Sequence, residues 1–163
     1  MEKPCIKMDS FNNLELPFDF KTVDYKRLPD PQFDIEQKNL LGEMYNDKMD
    51  NDKHNLNFLN KFGWQNFAWA LYKLPPGNWI PPHVDHFENY SKHYAIKDKS
   101  KIKRALVFLE DWQPGHLFVL EEKIVLNWKS GDYYIWTYNQ QHWGGNFGTE
   151  IRYTLQLTGV YET

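Results

Sequence analysis

The segment His83-Val84-Asp85 places an imidazole and a carboxylate two residues apart, in a stretch whose pattern favours a β-strand. Because side chains alternate across a strand, His83 and Asp85 would share one face and could bind one metal ion. A third ligand must then come from elsewhere in the fold. The candidates for it are His54, His93, His116 and His142.

His142 is the best placed of these candidates. It follows a strand predicted over residues 133–138 and precedes Gly144-Gly145, where a tight turn would return the chain to the same end of a barrel. His116, which follows Pro114-Gly115, is its main rival. Two imidazoles and one carboxylate on one face of an ion leave coordination positions open, which suits oxygen chemistry at non-haem Fe(II).

Arg152 provides a second chemical signal, on a strand predicted over residues 151–161. Strand alternation would point Arg152, Thr154 and Gln156 inwards. The intervening apolar residues, which would face outwards or into a second layer, are Ile151, Tyr153, Leu155 and Leu157. A buried arginine requires an anionic partner. That partner is either the carboxylate of a bound small molecule or an acidic residue on a neighbouring strand, such as Glu110.

The sequence after residue 66 predicts the elements that position these residues. Short apolar stretches alternate with turn signals such as Gln113-Pro114-Gly115. Strands are predicted over residues 67–74, 104–110, 116–121, 123–128, 133–138 and 151–161. Because no helical crossover separates these strands, the pattern favours an antiparallel sandwich or barrel.

Residues 1–65 have a different character. We predict an irregular lead-in with one short strand around residues 14–20. A helix is expected over residues 35–49, because Asp34 and Gln37 resemble a capping box ahead of apolar residues at helical spacing. A second short helix is expected over residues 53–61. The 163 residues should form one domain, with a β core over about 66–161 supported by the irregular and helical residues 1–65.

The composition excludes several classes of protein. A net charge of −3 provides no general attraction to nucleic acid. Cys5 is the only cysteine, so an intrachain disulfide cannot form and a reducing compartment is expected. No stretch approaches the roughly 18 consecutive apolar residues of a membrane span. We therefore expect a cytoplasmic protein without a membrane or nucleic-acid partner. The sequence does not indicate its oligomeric state.

Taken together, these residues resemble the 2-oxoglutarate and Fe(II)-dependent oxygenases, and within that family the short prolyl-hydroxylase-like members. The resemblance covers about residues 67–158 and rests mainly on His83-x-Asp85, the distal His142 and Arg152, ten residues further on. Further matching segments are Tyr72, Pro75-Pro76-Gly77, residues 104–109, Pro114-Gly115 and residues 129–132.

The resemblance implies a mainly β fold, the double-stranded β-helix or jelly roll, with one or two N-terminal helices. It implies that His83, Asp85 and His142 are the catalytic ligands of Fe(II). The implied reaction uses O2 and the co-substrate 2-oxoglutarate to hydroxylate an unactivated C–H bond, and it releases succinate and CO2.

Four residues are candidates for binding the co-substrate. The resemblance implies that Arg152 holds the C5 carboxylate of 2-oxoglutarate and that Tyr72 also contacts this molecule. Asn146, a polar residue after the distal histidine, would orient His142 or the other carboxylate. Thr154 is a further candidate because it shares the inward face of Arg152.

Other residues are expected around the site. Residues 87–103, together with elements of the N-terminal third, are expected to form the substrate entrance, because this segment is long and hydrophilic enough to be a lid. Arg104 is either a substrate or co-substrate ligand or the exposed end of a basic run. The rings expected to exclude water from the metal are Trp79, Phe87, Tyr134, Trp136 and Trp143.

Two other functions remain open at this point. One is a cupin-like metal-dependent barrel, a binding protein or isomerase, that does not use 2-oxoglutarate. The other is a non-catalytic β-sandwich that binds partners through its aromatic residues. Arg152 argues against the first, which has no particular need for a cation there, and metal dependence would exclude the second. The substrate of an oxygenase would be a small molecule, an amino acid or a peptide, prolyl residues included.

Overall fold

Two antiparallel β-sheets form the framework of this protein in its computed structural model, which describes residues 9–10, 41–45 and 57–161. The strands are β1 (Asp9–Ser10), β2 (Glu43–Tyr45), β3 (Gln65–Leu74), β4 (Trp79–His83), β5 (Ile102–Phe108), β6 (His116–Leu120), β7 (Lys123–Val125), β8 (Asp132–Thr137), β9 (His142–Asn146) and β10 (Arg152–Val160). The described helices are α1 (Glu88–His93) and two 3₁₀ segments, Asn57–Phe62 and Lys99–Lys101.

The larger sheet has the strand order β1-β8-β5-β10-β3-β2, and the smaller sheet has the order β4-β9-β6-β7. β10 lies inside the larger sheet and pairs antiparallel with β3 and β5, so Leu155 lies opposite both Leu71 and Val107. All pairings among the described strands are antiparallel. The predicted mainly β, antiparallel fold class is confirmed.

The alternation predicted for β10 is present. Its apolar residues Tyr153, Leu155 and Leu157 are buried in a core on one face of the larger sheet, together with Trp69 and Leu71 of β3. The other face of β10 presents Arg152, Thr154 and Gln156 to a cavity. A single strand therefore separates the apolar core from the polar site.

A second, aromatic core joins the two sheets. It contains Phe108 of β5, Phe118 of β6 and Trp136 of β8, and the Phe108 ring stacks on Trp128 with a centroid distance of 3.9 Å. Phe118 and Trp136 also line the cavity. Because rings of this size are rigid once packed, this core gives the site a firm wall.

The structure differs from the sequence predictions before residue 65. Residues 43–45, predicted as helix, form strand β2 and pair with β3, because backbone pairing to the edge of the sheet overrides the local helical spacing. The predicted strand at 14–20 and the other residues of the predicted helix over 35–49, apart from 41 and 42, lie outside the described residues. The helix predicted over 53–61 is described from residue 57, as a 3₁₀ helix.

The segment over residues 87–103 is attached to the larger sheet. The hydroxyl groups of Tyr90 and Tyr94 donate to the carbonyl oxygens of Asn66 and Phe67 at 2.6 and 3.1 Å. Phe87 and Tyr90 are buried in a third apolar cluster. No residue of this segment lines the cavity, whereas Leu41, Gly42 and Met44 from the N-terminal third do. The substrate entrance formed by both parts stays a prediction.

Among the described residues, no helix has the length and apolar character to cross a membrane.

Replacing Leu155 by alanine tests the central position of β10. Leu155 is 0% exposed, and we expect Leu155→Ala to lower the free energy of unfolding by about 2–5 kcal/mol, because the deletion leaves a hole in the core. Urea unfolding measures the change. Ile124→Ala is the control. The Ile124 side chain is 64% exposed, so this substitution should lower the free energy of unfolding by less than about 1 kcal/mol. Equal losses would contradict this packing.

Candidate metal centre

A cavity of about 110 Å³ lies between the two sheets and collects the polar residues singled out in the sequence. Its lining includes His83, Asp85 and His142 as well as Arg152 and other polar residues of β10.

The prolines of β4 set the positions of the two histidines. Ile80 pairs with Gly144 of β9, but the register then shifts by one residue, so that His83 pairs with His142 instead of Gln141. Pro81 and Pro82 occupy the shift, and neither has the N–H group that a regular ladder needs. The two imidazole rings therefore lie side by side, with a centroid distance of 4.3 Å.

Asp85 completes a cluster of three donor groups. It follows β4 by two residues, in the loop after the strand, and its Oδ2 atom lies 3.5 Å from Nε2 of His142. The three candidate ligand atoms of His83, Asp85 and His142 all lie within 4.8 Å of one another. The structure thus brings together the three ligands predicted from sequence, and this cluster can hold a metal ion.

Backbone carbonyl groups fix the tautomer of both histidines. Nδ1 of His83 lies 2.8 Å from the carbonyl oxygen of Pro81, and Nδ1 of His142 lies 3.0 Å from that of Gln140. A carbonyl oxygen only accepts hydrogen bonds, so each Nδ1 carries the proton and donates it. The lone pair of each Nε2 is then available for a metal, as in metal-binding histidines generally.

The electrostatics leave the donor groups in their ligating forms. Burial lowers the pKa of His142 to about 4, so its ring is neutral near pH 7. Burial acts to raise the pKa of Asp85, but the Arg104 guanidinium and the other polar groups around it outweigh burial and hold this pKa below its usual value. The neutral His142 nitrogen and the anionic Asp85 oxygen, next to a second imidazole, form a set of donor atoms that suits a divalent transition metal.

Both oxygen atoms of Asp85 are held by side chains on the larger sheet. Nη1 of Arg104 donates to Oδ1 at 2.7 Å, and Nε1 of Trp136 donates to Oδ2 at 2.9 Å. Arg104, whose role the sequence left open, is therefore the ion-pair partner of a candidate ligand. The sequence predicts for Trp136 only that its ring excludes water, but a buried indole N–H usually needs an acceptor, and Asp85 provides it.

Arg152 lies at one end of β10, and Thr158, which contacts Arg104, lies near the other end. Nη1 of Arg152 donates to the carbonyl oxygen of Leu117 at 2.6 Å. Its Nε atom is buried and has no hydrogen-bond partner among the described residues. None of the ion pairs within the described residues includes Arg152, so the alternative pairing with Glu110 is not observed.

The buried guanidinium of Arg152 is an anion site in chemical terms. Burial lowers its pKa to about 10, so it remains charged at neutral pH. An isolated buried charge destabilises a fold unless an opposite charge neutralises it. A carboxylate that enters the cavity can form charge-assisted hydrogen bonds with this group.

Gly144 provides the space for Arg152, and its position corrects a prediction. Gly144 and Gly145 lie within β9, where the sequence predicted a tight turn. A Cβ atom on Gly144 would lie 2.9 Å from the Leu117 carbonyl oxygen and 3.2 Å from Nη2 of Arg152. The glycine is therefore required first by the close approach of the Leu117 carbonyl and then by that of the Arg152 guanidinium, and no turn is needed.

Tyr72 and Thr154 lie next to each other across the β3–β10 ladder, and both line the cavity. The Tyr72 hydroxyl accepts a hydrogen bond from the backbone N–H of Gly42 at 2.9 Å. The structure thus places these two predicted co-substrate residues close to the same strand end as Arg152.

Asn146 is placed differently from its predicted role. Its Nδ2 atom donates to the carbonyl oxygens of Leu74 and Glu150 at 2.8 and 2.7 Å, and its Oδ1 atom accepts from the Gly148 N–H at 3.1 Å. The side chain is 0% exposed and does not line the cavity. Asn146 braces the loop before β10, because backbone groups occupy both ends of its amide.

The other histidines lie apart from the cluster. His116, the rival third ligand, is buried against Trp128, and its Nε2 atom contacts the Glu150 carbonyl oxygen at 2.9 Å. His86 and His93 are exposed, and His54 lies outside the described residues. None of the three described histidines belongs to the metal-ligand cluster found in the described part of the chain.

Comparison with known proteins supports the fold. No protein-family model and no curated protein matches the chain. Among solved structures, a prolyl-4-hydroxylase from Pseudomonas putida aligns with a TM-score of 0.55 and 16% identity, over 75% of this chain and 73% of that one. The chain folds as a double-stranded β-helix. At this identity the similarity concerns the double-stranded β-helix alone.

Two further structures align at lower scores. A predicted oxalate decarboxylase from Thermotoga maritima aligns with a TM-score of 0.46 and 17% identity, over 74% of this chain and 81% of that one. An uncharacterized double-stranded β-helix protein from Klebsiella pneumoniae aligns with a TM-score of 0.41 and 17% identity, over 60% of this chain and 70% of that one.

Replacing the distal histidine tests the metal cluster. We expect His142→Ala to abolish Mn(II) binding, because it removes one of three donor groups, and His116→Ala to retain it. Titration of the metal-free protein with Mn(II), followed by the EPR signal of the free ion, measures binding, and circular dichroism checks the fold. Loss of binding in His116→Ala together with retention in His142→Ala would show that the third ligand is wrong.

Proposed function

We propose that this protein is an oxygenase that uses Fe(II), O2 and 2-oxoglutarate to hydroxylate an unactivated C–H bond. The proposal depends on one observation: the cavity that contains the cluster of two histidines and an aspartate also contains Arg152, which has no carboxylate partner among the described residues. A metal site alone suits many reactions. A metal site with a buried cation in the same cavity suits a co-substrate that both chelates a metal and carries a second carboxylate.

The metal ligands in this proposal are His83, Asp85 and His142. Fe(II) bound there would supply the redox chemistry that activates O2. One oxygen atom enters the new hydroxyl group, and the other enters succinate as 2-oxoglutarate loses CO2. The protein's own task is to hold the reactants in place and to keep the cavity dry.

The far carboxylate of 2-oxoglutarate is assigned to Arg152. Its Nη1 atom already donates a hydrogen bond to the Leu117 carbonyl, while its Nε atom has no acceptor among the described residues. A carboxylate on the Nε side would satisfy this atom and neutralise the buried charge. Thr154 and Tyr72 line the same cavity, and their hydroxyl groups are of the kind that hydrogen-bonds to a carboxylate.

Apolar side chains surround the space in which the substrate would meet the metal. Ile80, Leu106, Phe118 and Trp143 line the cavity together with the polar groups. We assign to the site a small-molecule, amino-acid or peptide substrate. A prolyl residue belongs to this class, and the fold similarity to the Pseudomonas putida prolyl-4-hydroxylase supports including it.

Anaerobic addition of Fe(II) and 2-oxoglutarate tests the proposal. Chelation of Fe(II) by the keto acid gives a visible charge-transfer absorption, and we expect this band with the unmodified protein but not with His142→Ala. Subsequent addition of O2 should release succinate. Metal binding without the band would favour a metal-dependent barrel that does not use 2-oxoglutarate, and would contradict the proposal.

Replacing Arg152 tests the anion site separately from the metal. We expect Arg152→Leu to weaken 2-oxoglutarate binding by about 2–5 kcal/mol, because one partner of a buried charged pair is lost. Mn(II) affinity should change little. Calorimetry with the Mn(II)-loaded protein measures the binding, and Lys97→Leu, which removes an exposed positive charge outside the cavity, is the control. Unchanged 2-oxoglutarate affinity in a folded Arg152→Leu protein would remove the basis of this assignment.

A further inference from the structure

Arg104 contacts only one of the two carboxylate oxygen atoms of Asp85, a candidate metal ligand. Its Nη1 atom lies 2.7 Å from Oδ1 of Asp85, and the two side chains are 22% and 10% exposed. Oδ2 faces the other way, 3.5 Å from Nε2 of His142. Trp136 takes one lone pair of Oδ2 and leaves another for a metal.

The guanidinium of Arg104 is itself held in place. Its Nε atom donates to Oγ1 of Thr158 at 3.2 Å, and its Cζ atom lies 5.1 Å from the centroid of the Phe87 ring. Phe87 has a φ of 52°, in the left-handed region that side-chain-bearing residues seldom adopt. Such backbone conformations persist where the surrounding packing demands them. The contact of Arg104 with Oδ1 is therefore held in place by the packing around both residues.

The number of oxygen atoms that Asp85 offers decides how many positions a metal has left. A carboxylate binds a metal through one oxygen or through two. With one oxygen from Asp85 and one nitrogen from each histidine, an octahedral ion keeps about three open positions. With both oxygens it keeps about two, which a chelating keto acid would fill, with none left for O2.

We propose that Arg104 is a positioning residue that restricts Asp85 to ligation through Oδ2 and so keeps the third coordination position open. The inference rests on the proposed metal site. The same contact should lower the affinity of the site for a metal, because a guanidinium next to the carboxylate repels a divalent cation. In this proposal, weaker metal binding accompanies the open coordination position.

The sign of the effect separates this role from a merely structural one. Losing an orienting residue next to a metal ligand usually weakens metal binding by about 10–100-fold. Here Trp136 continues to orient the carboxylate after Arg104 is removed, while the repulsion disappears and a second oxygen becomes available. We therefore expect Arg104→Met to bind Mn(II) more tightly, by about tenfold or more.

The experiment compares Arg104→Met with Arg104→Lys and Lys103→Met, using the full chain loaded with Mn(II) at pH 8. Lys103 is the control because it precedes Arg104 in β5, but its amine lies 4.1 Å from the centroid of the Tyr161 ring and outside the cavity. EPR of free Mn(II) measures the affinity. Relaxation of water protons measures the number of water molecules bound to Mn(II), and circular dichroism checks the fold.

We expect Arg104→Met to lose about one third of the relaxation enhancement, because one of three water positions is taken by Oδ1. Arg104→Lys, which retains a cation for Oδ1, should restore it, and Lys103→Met should match the unmodified protein. Weaker or unchanged Mn(II) binding in a folded Arg104→Met protein, or an unchanged number of water ligands, would overturn the proposal.

A second measurement keeps this inference distinguishable from the proposed function. The Mn(II)-loaded Arg104→Met protein should still bind 2-oxoglutarate, because the chelating keto acid fills the two positions that remain, and should then keep no water on Mn(II), whereas the unmodified protein with 2-oxoglutarate keeps one. If the unmodified Mn(II)-loaded protein binds no 2-oxoglutarate, the proposed function fails, and the Mn(II) measurements still decide the role of Arg104.

Discussion

The constraint on which the rest of this structure depends is the burial of charge in one cavity. Asp85 and Arg104 neutralise each other, His142 is neutral, and Arg152 has no carboxylate partner among the described residues. The cavity therefore carries an uncompensated positive charge before anything binds. Charge of this kind destabilises a fold in a medium of low dielectric constant. An anionic ligand would relieve this cost, so the protein's stability and its proposed reaction involve the same group.

The register of the smaller sheet connects this electrostatic pattern to the backbone. Two adjacent prolines shift the β4–β9 pairing by one residue, and this shift decides which side chain of β9 lies opposite His83. A one-residue change in register moves side chains to the other face of a sheet. The same backbone also fixes ring orientation, since Pro81 supplies the carbonyl that accepts the Nδ1 proton of His83. The two prolines of β4 therefore determine both the position of the His83 ring and its tautomer.

Strand alternation made much of the site predictable. The same alternation predicted one strand face for His83 and Asp85, but Asp85 lies in the loop after β4 and meets His83 without being part of the strand. The inward face of Arg152 does follow from a period of two. The partners of these groups did not, because they come from strands distant in sequence: Arg104 lies 19 residues from Asp85 and Trp136 lies 51 residues from it. A turn signal at Gly144 was misleading for a related reason. Its small size makes room for the Leu117 carbonyl and the Arg152 guanidinium, both on other strands, which no local sequence pattern records.

Because β2 lies at the edge of the larger sheet, the shape of the cavity wall there is independent of the positions of the arginines in the cavity. Leu41, Gly42 and Met44 form part of its wall, and they belong to or adjoin a three-residue strand whose one partner among the described strands is β3. Arg104 and Arg152 lie on β5 and β10, which are interior strands of the same sheet. Changes at Leu41 or Met44 therefore reshape the cavity without moving the two strands that carry the arginines. In evolutionary terms, the shape of this cavity can diverge while its charged groups stay constant.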